Sequence, residues 1–137
     1  MEIKNPTDDE IKEVLSMYRV VAVVGLSDRP GRASFGVASF LKEKGYRVVP
    51  VNPNLDTVLG EKCYPALSAI PFAIDIVDVF RRSEAVPPIA KEAVSIGAKV
   101  LWLQLGVIAG ESVKRHGDAI KIITDRCIKI EYNRLIG

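Results

Sequence analysis

Residues 20–54, VVAVVGLSDRPGRASFGVASFLKEKGYRVVPVNPN, constrain the fold more than any other stretch. An apolar, mostly β-branched run from Val20 to Val24 stops at Gly25. A loop rich in Gly, Ser, Pro and Arg follows, and apolar residues then recur at helical intervals as far as Gly45. A second apolar run, Arg47 to Val51, ends in Asn52 and Pro53. Strand, loop, helix and strand in that order form a βαβ unit. A first strand that is apolar on consecutive residues is covered on both faces, as in a parallel sheet. The loop after it is where an anion would meet a helix N-terminus.

The rest of the chain repeats the alternation. Thr7-Asp8-Asp9-Glu10 has capping-box spacing, and Ile11, Val14, Leu15 and Tyr18 follow at helical intervals. The connection DTVLGEKCYPALSAIPF, punctuated by Gly60, Pro65 and Pro71, reads as irregular with one short turn of helix. A third strand is expected over Ile74 to Phe80. A helix follows, capped by Ser83, with Pro87 and Pro88 in its first turn and Gly97 at its end. Val100 to Leu103 reads as the fourth strand, Ala109 to His116 as a helix, Ala119 to Ile123 as the fifth strand and Cys127 to Leu135 as a closing helix.

These elements predict a three-layer α/β fold, a Rossmann-like doubly wound sheet of about five parallel strands in the order 3-2-1-4-5. The switch point then falls between strands one and four. Five segments stand just after strands: Gly25 to Ser34, Asn52-Pro53, Arg81-Arg82, Gln104 to Gly106 and Asp125-Arg126-Cys127. On one rim, they are expected to frame a single pocket.

Bulk properties narrow the function classes. At 137 residues, 48% hydrophobic and 26% charged, the chain is expected to form one domain over 1–137, with the helix in 1–19 packed on it. A net charge of +2 argues against a nucleic-acid surface, so any anion site is local. The charged start MEIKNPTDDE lacks a signal peptide's apolar core, and no run approaches the roughly 18 apolar residues of a membrane span. A cytoplasmic protein without membrane partners is the expectation. Cys63 and Cys127 have neither zinc-site nor disulfide-framework spacing.

Two standard phosphate loops fail against GLSDRPGRAS. A Rossmann fingerprint needs glycines where Ser27 and Pro30 stand, and a P-loop needs Gly-Lys-Ser/Thr where Gly31-Arg32-Ala33 stands. The acid that usually grips ribose hydroxyls after the second strand is replaced by Asn52-Pro53. A neutral residue there tolerates a phosphorylated ribose, which disfavours NAD and leaves NADP and coenzyme A open. The loop still offers what a diphosphate needs: Gly25 for close backbone approach, the Ser27 and Ser34 hydroxyls, the Arg32 guanidinium, and N–H groups near Ser34 to Val37. Taken singly, Ser34 reads as a simple N-cap.

The blocks VVGLSDRPGRASFGV, LKEKGYRVVPVNPN, GEKCYPALSAIP, DIVDVFRRSE, GAKVLWLQLGV and DRCIKIEY together resemble the small stand-alone CoA-binding domain proteins. These are similar to the N-terminal CoA-binding domain of the succinyl-CoA synthetase α subunit. The resemblance spans Val20 to Leu135. It implies that Gly25, Leu26, Ser27, Arg32, Ser34 and the amides of Phe35, Gly36 and Val37 hold the diphosphate. By the same resemblance Asn52 and Pro53 lie near the ribose and its phosphate, Val79, Phe80 and Arg81 flank the adenine, and Gln104 and Gly106 line the pantetheine route. The synthetase's phosphorylated histidine belongs to a second domain with no counterpart here. The implied function is therefore binding of CoA or acyl-CoA without a complete active site, with a protein partner or homo-oligomer in acyl-CoA metabolism. The alternatives are an NADP-dependent oxidoreductase or a partner-dependent acyl-CoA enzyme.

Three other groups read as structural. His116 before Gly117 suits a helix C-terminus. Asp75 and Asp78, three apart in a strand, face opposite ways and cannot act as a pair, although one can bridge to a loop. Asp125-Arg126 is expected to form an ion pair at the sheet edge.

Overall fold

The computed structural model describes residues 4–137. In chain order it contains α1 (Asp8–Met17), β1 (Val20–Val24), α2 (Ala33–Glu43), β2 (Arg47–Val51) and a small hairpin of β3 (Thr57–Val58) and β4 (Glu61–Lys62). These are followed by β5 (Ile76–Val79), α3 (Val86–Ser95), β6 (Val100–Leu103), α4 (Glu111–Lys114), β7 (Lys121–Ile123) and α5 (Ile128–Leu135). The α/β class and the five parallel strands agree with the sequence reading.

The strand order does not. It is β2-β1-β5-β6-β7, so the third long strand lies beside the first and not outside the second, and the switch point falls between β1 and β5. The reason lies on the outer edge of β2. Tyr64 bridges to Val51, donating its N–H to Pro50 O and accepting from Asn52 N–H. With that edge occupied, β5 pairs on the other side of β1.

Alternation along each strand builds two cores. Val21, Val23, Ile76, Trp102 and Ile123 face α1, α2 and α5, where they meet Ile11, Leu15, Leu41 and Ile128. Ala22, Val24, Val77, Val79 and Leu103 face α3 and α4, meeting Val86, Ala90 and Val113. Every residue of β5 and β6 is buried, which is why these strands read as apolar runs interrupted only by Asp78. Each such Val or Leu contributes about 1.5–3 kcal/mol on burial. The indole N–H of Trp102 is satisfied by Arg126 O at 2.8 Å.

Local chemistry sets the element ends. At α1 the expected capping box forms, with Thr7 Oγ1 accepting from Glu10 N–H and the Glu10 carboxylate accepting from Thr7 N–H. Arg134 pairs with Asp8 at 2.7 Å, tying α5 to α1. Pro87 and Pro88 lie in the first turn of α3, as expected. Ser83 does not cap that helix; its Oγ accepts from Ile108 N–H instead. The turn of β3–β4 places Leu59 and Gly60 at φ 55° and 75°, the paired positive values of a tight hairpin turn. The fourth helix is shorter than expected and passes into a 3-10 turn, Arg115–Asp118.

Candidate functional site

Where β1 ends, Gly25 adopts φ +85° and is wedged between two strand ends. Its N–H donates to Val51 O, Phe80 N–H donates to Val24 O, and a Cβ at Gly25 would come within 2.6 Å of Phe80 O. Only glycine fits this corner without moving backbone. Beyond it Leu26 is fully buried against the α2 side, so its side chain anchors the loop and offers nothing to a ligand.

Ser27 N–H donates to Ser34 Oγ at 3.0 Å, and Arg29 N–H donates to Ser27 Oγ at 3.1 Å. Ser34 is therefore not the N-cap. Arg32 holds that position, with no side-chain acceptor, and α2 begins at Ala33. The first intrahelical bond runs from Gly36 N–H to Arg32 O. The N–H groups without an intrahelical acceptor are thus those of Ala33, Ser34 and Phe35, a shift from the expected Ser34 to Val37. No acidic residue lies in this first turn. The end is electropositive and uncapped, with the exposed Arg32 guanidinium beside it.

At the end of β2, the Asn52 amide is bonded at both its nitrogen and its oxygen. Its Nδ2 donates to Leu26 O at 3.1 Å, and its Oδ1 accepts from Asn54 N–H at 2.9 Å. Asn52 holds the two loops in register, which explains an amide where an acid is usual. A cavity of about 470 Å³ opens beside it, lined among others by Gly25, Asn52, Pro53, Arg81, Ile89 and Glu92. Three of the five expected rim segments thus meet.

The remaining two do not join them. Gly106 N–H donates to Asp125 Oδ1 at 2.7 Å, Ile128 N–H donates to the buried Gln104 Oε1, and Asp125 N–H donates to Val107 O. Gln104 and Gly106 therefore knit the β6 and β7 loops together. Asp125, at φ 56°, caps backbone where an ion pair with Arg126 was expected. Of the expected adenine neighbours, Val79 is fully buried in the α3-side core, Phe80 is half-buried, and Arg81 alone lines the cavity.

A larger concavity, about 830 Å³, lies at the opposite edge near Asn5, Lys99 and Lys121. It sits at the amino ends of β6 and β7, whereas ligands of open parallel sheets sit at the carboxyl ends. The helix start on its wall, α1, is already capped. Geometry favours the smaller cavity.

Two acids have surroundings that the sequence reading did not foresee. Asp78, level with Val23 and Trp102 in the sheet, is fully buried, and neither carboxyl oxygen has a hydrogen-bond partner. Burial holds it well above the usual carboxylate range, favouring the protonated acid. Its position in an apolar run was the available signal. Glu92, which nothing in the sequence singles out, lines the cavity. Among the described residues no group of His, Cys, Asp and Glu could hold a metal ion. No described helix is long and apolar enough to cross a membrane.

Residues 19–133 match the family described as CoA binding domain. The chain belongs to that family. It is 43% identical over 133 residues to the uncharacterized protein YneT of Bacillus subtilis, covering 95% of this chain and 97% of that one. It is also 36% identical over 81 residues to the ADP-forming acetate–CoA ligase II of Archaeoglobus fulgidus, covering 58% of this chain but 12% of the ligase. A hypothetical protein of Pyrococcus horikoshii OT3 has a solved structure that superposes with a TM-score of 0.93 at 39% identity, covering both chains completely.

Proposed function

We propose that residues 1–137 act as one domain that binds coenzyme A or an acyl-CoA and holds its diphosphate at the loop after β1. The domain has no complete active site of its own and serves acyl-CoA metabolism as a carrier, sensor or partner subunit in the cytoplasm. The observation that carries this reading is the bare N-terminus of α2. Three N–H groups without intrahelical acceptors lie there, beside Arg32 and the Ser27–Ser34 bond, where the family resemblance would put an anion, and no side-chain cap is formed among the described residues. A diphosphate supplies the missing acceptors through charge-assisted hydrogen bonds. Arg81 provides a second cation at the cavity, within reach of the ribose phosphate on this reading.

Calorimetric titration with CoA and with adenosine 3′,5′-bisphosphate, which lacks the diphosphate bridge and the pantetheine arm, tests this. CoA is expected to bind and the bisphosphate to bind far more weakly. Equal affinities would place the anchor at the nucleoside and remove the α2 N-terminus from the site.

A further inference from the structure

Glu92 sits on α3 in the wall of the 470 Å³ cavity and is half-buried there. One oxygen, Oε1, accepts the Leu67 N–H at 3.1 Å and so fixes the 3-10 turn Leu67–Ala69 against α3. No donor among the described residues reaches Oε2. Around it Pro53, Pro65 and Ile89 are apolar, Asn52 is bonded through Nδ2 and Oδ1, and Arg81 brings a cation to the same wall. A cavity of this volume accommodates a small-molecule fragment the size of a nucleoside.

A carboxylate in that position sorts the parts of a nucleotide. It repels phosphate, which keeps the anionic parts with the cations, the diphosphate toward Arg32 and the start of α2 and the ribose phosphate toward Arg81. It accepts and never donates, so it welcomes an amino group and opposes a carbonyl oxygen. Resting on the CoA-binding reading above, we infer that Glu92 recognises the exocyclic amino group of the ligand's nucleobase and makes the site selective for adenine over an oxo-purine. Oε1 positions the carboxylate through Leu67, and Oε2 reads the base.

The test pairs CoA with its deaminated analogue, in which hypoxanthine replaces adenine, on the wild-type protein and on Glu92→Gln. Glutamine keeps an oxygen for Leu67 N–H, so the turn is retained, and presents an NH2 where Oε2 stood. The wild type is expected to bind CoA about tenfold more tightly than the analogue, as suits a hydrogen bond to a charged group. In Glu92→Gln that ratio falls to about one or reverses. An unchanged ratio, an equal loss for both ligands, or no preference in the wild type overturns the inference, and the last needs no variant. Failure of the wild type to bind CoA at all is a different result, which removes the CoA reading and this inference with it.

Discussion

Two helix starts in this protein have opposite chemistry. At α1, Thr7 and Glu10 satisfy each other's backbone groups, and Asp8, Asp9 and Glu10 place three acids in the positive first turn. At α2 there is no capping side chain and no acid, and the N-cap is an arginine. Both helices are of similar length and both bury one face against the same side of the sheet. The difference teaches that α1 is finished by its own sequence, whereas α2 is held in place by packing and leaves its polar end for something else. The same contrast recurs in β5. Just before the strand, Asp75 Oδ2 accepts the N–H groups of Arg19 and Val20, and three residues later Asp78 meets no partner at all.

The largest effect is expected at the unfinished start. Replacing Arg32 and Ser34 together by alanine removes a charge-assisted contact and the hydroxyl that orders the loop. CoA binding should weaken by about 2–5 kcal/mol in a titration. An unchanged affinity would mean that α2 is as self-contained as α1.

Next comes the unpartnered acid. Because burial raises the folded-state value of Asp78, the folded protein holds its proton more tightly than the unfolded chain does. Stability from this group is complete below pH about 4 and declines as pH rises toward the raised value, at up to about 1.4 kcal/mol per pH unit. Asp78→Asn cannot ionise, so urea melts of the variant from pH 5 to 9 should lack this part of the alkaline decline. Parallel profiles for wild type and variant would show that Asp78 is not buried as a lone acid.

Thr7→Ala breaks the finished start. It should cost about 1 kcal/mol of folding stability and leave CoA affinity unchanged. The smallest effect comes from making α2 resemble α1. Ala33→Glu should stabilise the free protein by about 0.3–1 kcal/mol while weakening CoA binding, so that unfolding and titration move in opposite directions.

What was legible in the sequence follows the same division. The capping box at α1 is a contact over three residues and was read correctly, as were the βαβ unit and the prolines of α3. The order of strands was not legible, because Val-rich runs pair equally well in either order and the outer edge of β2 is taken by Tyr64, from the middle of an irregular connection. Two-residue strands such as β3 and β4 are too short to show a period. Ser34 resembles an N-cap because serine so often is one, but its hydroxyl is spent on Ser27, seven residues back. Gln104 and Gly106 look like ligand residues because they follow a strand, yet in the structure Gln104 Oε1 accepts from Ile128 N–H and Gly106 N–H donates to Asp125, tying the β6 loop to the segment after β7. Glu92 could not be singled out, since nothing local distinguishes a helix carboxylate on a cavity wall from one in water.

The most direct test of the central claim is thermal unfolding of the dialysed protein with CoA, acetyl-CoA, NAD and NADP in parallel at matched concentrations. A ligand at about 100 times its dissociation constant adds roughly 2.7 kcal/mol to the folded state, enough to raise the midpoint visibly. A shift with the two CoA compounds and none with NAD or NADP is the predicted result. A shift with NADP and none with CoA would contradict the account and make a dehydrogenase the leading reading.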